Sequence, residues 1–193
     1  MERMAIWIAR RFGVDIDGLF WDLIYRELIR TELELNKENF LEIFKRIGGE
    51  ASIESANRHQ TVMNIFAPKN ATDIVGYIRF IWGTVFSDDI EMSEELKTEE
   101  SGNVTRVTLR VNQCPICRGY GDDKEDFVNL LKETLLPKGD GYACILLGMI
   151  EGLANNLFEM RKDPYKIQIT EKECMALGGK ELVFEAVLTK LDT

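Results

Sequence analysis

An α+β fold is predicted by two observations. Apolar residues recur at helical spacing through the first half of the chain, and beyond Ile90 the period switches to strand alternation in two pairs that flank a long helix. The expected architecture is a helical N-terminal half packed on an antiparallel sheet of about four strands made of two hairpins. At 193 residues and 22.2 kDa the chain suits one such domain over 15–193, preceded by an extension or docking arm over 1–14.

The first helix follows Asp15-Ile16-Asp17-Gly18, where Leu19, Phe20, Leu23, Ile24 and Leu28 form one apolar stripe. Asn36 caps a second through Phe40, Leu41, Ile43, Phe44 and Ile47. Gly48-Gly49 is expected to end it, because glycine suits the left-handed backbone beyond a helix C-terminus. A third runs from Ser52 to Phe66 and stops ahead of Pro68. The fourth has Asn70 at its cap, Asp73 three residues on, and Ile74, Ile78, Ile81, Trp82, Val85 and Phe86 along one face.

Ile90, Met92 and Leu96 then mark a strand, Ser101-Gly102-Asn103 a turn, and Val107, Leu109 and Val111 alternate with Arg106, Thr108 and Arg110 in the partner strand. That strand delivers the chain into Cys114. A loop rich in glycine and aspartate, a short helix over 123–135 and the breaker Pro137-Lys138-Gly139-Asp140-Gly141 follow. The long helix spans 142–160 and buries Leu146, Met149, Ile150, Leu153 and Leu157. Its Gly148 and Gly152 lie one turn apart, a spacing that admits another backbone and is expected to serve packing of the helix on the sheet. Residues 165–170 and 182–188 form the second hairpin.

The formal net charge of −9 opposes phosphate backbones, and no basic stripe is interleaved with aromatics, so nucleic acid is not an expected partner. The apolar stretch at the start is too short for a signal peptide and carries Glu2, and no later segment has membrane-spanning length without charge. Four cysteines in a chain of this size are not a disulfide framework, and a reducing cytoplasm is the expected setting. The acidic stretch 88–95 lacks the ladder and central glycine of a calcium loop and reads as a solvated strand face.

The cysteines carry the strongest chemical signal. Cys114-Pro115-Ile116-Cys117 places two sulfurs within reach of one metal ion, and Cys144 and Cys174 would complete the tetrahedral set that zinc prefers. Metal binding, thiol redox chemistry and plain packing all stay open for the pair, and each single cysteine also reads as a small buried hydrophobe. Cys-Pro-Ile-Cys is similar to the glutaredoxin active-site motif, but that fold needs it inside a βαβ unit with a later cis-proline, and Pro137 and Pro164 sit at helix boundaries. His59 is the lone histidine, in a polar helical segment. Glu54 and Glu151 are candidate acids only if they line a cavity. Contiguous Ile6, Trp7 and Ile8 require burial, either on the chain's own core or in a homodimer, and the homodimer is the expectation.

The stretch from Glu171 through Cys174, Ala176 and Gly178 to Phe184 resembles the signature of the 4-vinyl-reductase domain, roughly E-x-x-C-x-A-x-G-x-x-x-C-x-F. That family in turn resembles the ligand-binding fold of nitric oxide sensors and of transport-particle subunits. The resemblance covers the chain from the Tyr142 helix onward. It implies zinc held beside an aromatic ligand pocket, with Glu171 and Cys174 matching signature positions and Cys144 standing for a cysteine near the preceding helix. The final cysteine of the signature is Leu182 here, so Cys114 and Cys117 would supply the missing sulfur.

The combined expectation is a small-molecule-binding or sensor-like module for an apolar or aromatic ligand. Zinc would sit on Cys114, Cys117, Cys144 and Cys174, with Glu171 as substitute or outer-shell group, and Ile78, Trp82, Phe86, Met149 and Phe158 would line the pocket. The alternatives are a thiol-disulfide oxidoreductase using Cys114 and Cys117, or a reductase of the 4-vinyl-reductase type, for which the chain offers no hydride-donor or flavin motif.

Overall fold

The structure is a computed structural model and describes residues 24, 26–31, 40–58, 60–86, 92–98, 104–112, 114, 116–117, 129, 131–133 and 141–191. Its elements are α1 (Phe40–Arg58), α2 (Gln60–Phe66), α3 (Ile74–Phe86), β1 (Met92–Thr98), β2 (Val104–Val111), α4 (Cys144–Arg161), β3 (Tyr165–Glu173), a 3-10 turn (Met175–Leu177) and β4 (Leu182–Lys190). Residues 24 and 26–31 are also helical, as are 129 and 131–133, the latter inside the expected 123–135 helix. Among the described residues no helix is long and apolar enough to cross a membrane.

Both expected strand pairs form, antiparallel, and the pairing of β2 with β4 joins them in the order β1-β2-β4-β3. The alternation read from the sequence sorts the two faces. Val107, Leu109, Phe184, Ala186, Leu188, Ile167 and Ile169 are buried in one core with residues of α3 and α4. Arg106, Arg110, Glu185 and Lys172 emerge on the other side. There Glu185 lies 3.2 Å from Lys172 and 3.9 Å from Arg106.

Gly48-Gly49 does not end a helix. α1 runs straight through it to Arg58, because the two glycines are where α4 crosses α1. A Cβ on Gly48 would collide with the Ile145 carbonyl, and one on Gly148 with the Lys45 carbonyl; one on Gly152 would come within 2.6 Å of the Gly49 Cα. The Gly148/Gly152 spacing therefore serves helix-on-helix contact, not the helix-on-sheet packing expected. Each glycine costs about 1 kcal/mol of helix propensity, which the close approach must offset.

The other side of α4 closes the open edge of the sheet. Asn155 donates from Nδ2 to the Ile167 carbonyl at 3.0 Å and accepts the Ile167 N–H at 2.9 Å. One turn earlier Glu151 accepts the Ile169 N–H at 2.8 Å, and Lys45 of α1 donates to the Ile169 carbonyl at 2.9 Å while lying 2.7 Å from Glu151. The outward-facing backbone groups of both residues of edge strand β3 are thus satisfied by helix side chains, which blocks a further strand from pairing there.

The helix ends follow capping rules with one correction. Asp73, not Asn70, caps α3: its Oδ1 accepts the Gly76 N–H at 2.9 Å, whereas Asn70 Oδ1 accepts from Thr72 in the turn before. α4 ends with Lys162 in the left-handed region at φ 58, and the Asp163 N–H returns to the Phe158 carbonyl at 2.9 Å before Pro164. Arg161 in the last turn donates to the Pro68 carbonyl and, at 2.7 Å, to the Tyr77 hydroxyl, whose ring meets Phe158 edge-on at 5.2 Å.

Candidate functional site

Three chain reversals meet at one end of the sheet. β2 leaves it after Val111 and enters the Cys114–Cys117 turn, which is closed by the Cys117 N–H to the Cys114 carbonyl at 3.2 Å. β3 leaves it through an irregularity between Glu171 and Glu173, where two residues advance against one on β4. A bulge of this kind re-aims the strand, and here it brings Cys174 to the same side as buried Glu171. The third reversal is the start of α4, whose N-cap residue Ala143 offers no side-chain cap.

The missing cap comes from β3 and the turn after it. Glu171 Oε2 accepts the Ala143 N–H at 3.0 Å, and the Cys174 sulfur accepts the Tyr142 N–H at 3.3 Å. Both are places where a helix N-terminus favours negative charge. Gly141 is required beside them, since a Cβ there would collide with the Glu171 carboxyl. Gly141, the last residue of the breaker read from the sequence, thus meets a packing requirement.

The thiols are turned on one another. Cys117 faces both Cys114 and Cys174, and Cys174 also faces Glu171, closely enough for each to bear on the other's titration. These contacts and then burial push the Cys117 thiol up. Cys174 is held down at about 6, first by its hydrogen bond with Cys117, with the backbone of Tyr142, Glu171 and the backbone of Leu177 outweighing its burial. Burial, then the charge and hydrogen bond of Cys174, hold the Glu171 carboxyl well above its ordinary range, against the Ala143 N–H. Glu171 Oε1 is buried without a hydrogen-bond partner.

The structure thus brings Cys114, Cys117, Cys174 and Glu171 together. Cys144 is buried at the first residue of α4, two positions beyond Tyr142. Leu182, where the resembling signature carries cysteine, is fully buried and paired with Val111, so β2 carries Cys114 past that position three residues later. Among the described residues no group of three or more His, Cys, Asp or Glu side chains is set to hold a metal ion as it stands.

Of the expected ligand-lining residues, Ile78, Trp82 and Phe158 are buried in the common core and Met149 is half-buried on α4. Phe86 closes α3, with its side chain outside the described residues. His59 and the 1–14 segment with Ile6, Trp7 and Ile8 also lie outside them. Glu54 is an exposed partner of Arg58, and Glu151 is committed to Lys45 and the β3 edge, so neither serves as a cavity acid. The backbone donors Tyr142 and Ala143 were not singled out from the sequence, because their partners lie about thirty residues away.

No protein-family model matches the chain, and no curated protein matches it. Solved structures do match. The fold is similar to that of a trafficking protein particle complex subunit 3 from Naegleria fowleri covalently bound to palmitic acid, at 10% identity over 91% of this chain and 98% of that one, with a TM-score of 0.61. It is also similar to the phenol-responsive sensory domain of the transcription activator PoxR with phenol, at 11% identity over 91% of this chain and 76% of that one, with a TM-score of 0.52. At such identities the likeness is one of fold. The expected likeness in fold to transport-particle subunits is found, while the 4-vinyl-reductase resemblance finds no matching family.

Proposed function

We propose that the chain is a small-molecule-binding, sensor-like module for an apolar or aromatic ligand, with zinc at the cysteine cluster. The ligand reading rests on one observation: over nine-tenths of its length the chain shares its fold with two proteins whose structures hold palmitate and phenol. Ile78, Trp82, Phe158 and Met149, on α3 and α4, are the side chains proposed to face the ligand. An oxidoreductase of thiols needs an accessible, low-pKa thiolate in its Cys-x-x-Cys pair, whereas here both members of the pair are buried and Cys117 is pushed the other way.

The donor types suit zinc, although the described residues form no ready-made metal-holding group. Three sulfurs and a carboxylate are ligands that zinc accepts, and the bare Glu171 Oε1 is a buried acceptor that a cation would satisfy. Cys114, Cys117, Cys174 and Glu171 would hold the metal, with Cys144 adjacent at the helix start. The metal would supply a crosslink between the β2 turn, the β3 turn and α4, with the cysteines binding as thiolates. Native and denaturing mass spectra of the full chain, with elemental analysis, test both parts. An organic mass lost on denaturation and one zinc per chain are expected. A chain with neither, and with all thiols freely alkylated, overturns the reading.

A further inference from the structure

We propose that the outer edge of β1 pairs with the same edge of a second copy of this chain, antiparallel and centred on Leu96, joining two sheets into one. The inference goes beyond the ligand and zinc readings and rests on neither.

The two edges of the sheet are treated differently. At β3 the outward backbone groups of Ile167 and Ile169 are taken by Asn155, Glu151 and Lys45. β1 pairs with β2 along all 7 of its residues, and among the described residues no strand pairs with its other side. An edge of this kind carries a row of backbone donors and acceptors that another extended segment matches in spacing.

The sequence of β1, Met92-Ser93-Glu94-Glu95-Leu96-Lys97-Thr98, selects the occupant and the register. Two copies related by a two-fold axis meet through the same residues, and opposed residues share a face of the sheet, so helices on one common face require an axis that passes through a residue. Centred on Leu96, Glu95 stands against Lys97 of the partner subunit, Lys97 against the partner's Glu95, and Glu94 against the partner's Thr98. Centred on Glu94, Glu95 or Lys97, the axis sets that charge against itself, and like charges directly opposite are destabilising.

The same register answers a mismatch inside one chain. Lys97 stands opposite Arg106 of β2, like charge against like, and Glu95 stands opposite Thr108, which carries none. In the joined sheet Lys97 gains a carboxylate, and Glu95 an ammonium, from the other side. Leu96 stands opposite Val107, a core residue, so the axis falls on an apolar position and the core row continues across the junction.

Sedimentation of the full chain over a range of concentrations tests the pairing, with Glu95→Lys and Lys97→Glu made singly. The unsubstituted chain should show a reversible dimer. Each single variant sets like charges opposite at both positions beside the axis, and its self-association should weaken about tenfold or more. Mixed in equal amounts, the two variants regain opposite charges at both positions and should dimerise as a heterodimer about as well as the unsubstituted chain. A chain that stays monomeric up to millimolar concentration overturns the proposal, as does a dimer that neither variant weakens or that mixing fails to restore. Cross-linking decides the register without altering Glu95 or Lys97. Cross-strand Cα separations of roughly 4.5–5.5 Å fall within the disulfide range, so Glu94→Cys mixed with Thr98→Cys should give a 94–98 disulfide between chains under mild oxidation, located by peptide mass spectrometry. Neither variant alone should cross-link at these positions; absence of that disulfide from the mixture, or its equal yield as 94–94 in one variant, sinks the Leu96-centred pairing.

Discussion

Helix α4 is held on two sides by different physics. Against α1 it is held by shape: Gly48, Gly49, Gly148 and Gly152 let two backbones meet with almost no side chain between them. Against the β3 edge and the hairpin beyond it, α4 is held by chemistry, through Asn155, Glu151, the helix-start N–H groups and the Glu171–Cys174 pair. The glycine contact itself has nothing to titrate, and the charged link between the two helices is the Lys45–Glu151 pair at 2.7 Å beside the β3 edge. The second is made of ionisable groups, thiols and backbone N–H groups. A fold built this way can vary one end of its sheet while the helix pair stays fixed.

Breaking the shape seam should give the largest effect. Gly148→Ala drives a methyl into the Lys45 carbonyl, a backbone atom that cannot swing aside, and overpacking of this kind costs about 3 kcal/mol, read as a lower urea midpoint. Removing the edge contact comes next. Glu151→Ala strands the Ile169 N–H and takes the carboxylate from Lys45, which keeps the Ile169 carbonyl, and should cost about 2 kcal/mol in the same measurement, with faster hydrogen exchange at Ile169.

A smaller effect tests the far end of α4. Tyr77→Phe removes the hydroxyl that accepts from Arg161 and should cost about 1 kcal/mol near neutral pH. The Tyr77 hydroxyl is raised above its ordinary 10.0 by burial first, with Arg161 opposing and Asp163 and Asp73 adding. The unfolded chain therefore loses this proton before the folded one, and stability falls as pH climbs past 10. The phenylalanine variant lacks that fall, so its deficit should shrink in urea titrations above pH 10; an unchanged deficit would show that Tyr77 does not titrate as its surroundings imply.

The smallest effect has the opposite sign. A Cβ on Gly49 would sit 3.4 Å from the Gly148 carbonyl oxygen, close but tolerable, so Gly49→Ala should recover helix propensity and stabilise the chain by about 0.5 kcal/mol. A loss as large as that of Gly148→Ala would mean the seam tolerates nothing at any of its glycines.

Much of the fold was legible because it rests on local period. Val107, Leu109 and Val111 alternate, and Leu146, Ile150, Leu153 and Leu157 recur at helical spacing, and all are buried as read. Gly48-Gly49 misled because a helix end and a close helix crossing require the same residue, and the contact that decides between them is a hundred positions away. Asn70 and Asp73 are both good caps, and only the fold of the intervening turn chooses Asp73. The cysteines were visible as chemistry. That Cys117 meets Cys174 depends on the β2–β4 pairing, which no local pattern encodes. Glu151 read as a candidate acid for a cavity and Asn155 was not singled out, because the strand they satisfy comes later in the chain.

The pairing of α4 with β3 works as a vernier. Four helical residues rise about 6.0 Å and two strand residues about 6.6 Å, so rungs cut at those spacings agree at first and slip by roughly half an ångström with each step. Two rungs, at Ile167 and Ile169, are taken by helix side chains reaching the strand. Beyond them the direction of reach reverses, and Glu171 extends from the strand to the helix backbone at Ala143. Ala143 lies eight helical residues before Glu151, about 12 Å, against about 6.6 Å for the two strand residues from Ile169 to Glu171, so this contact falls off the rungs. The four-residue step lands on apolar Leu147, and the Glu171 carboxyl goes to the helix start instead.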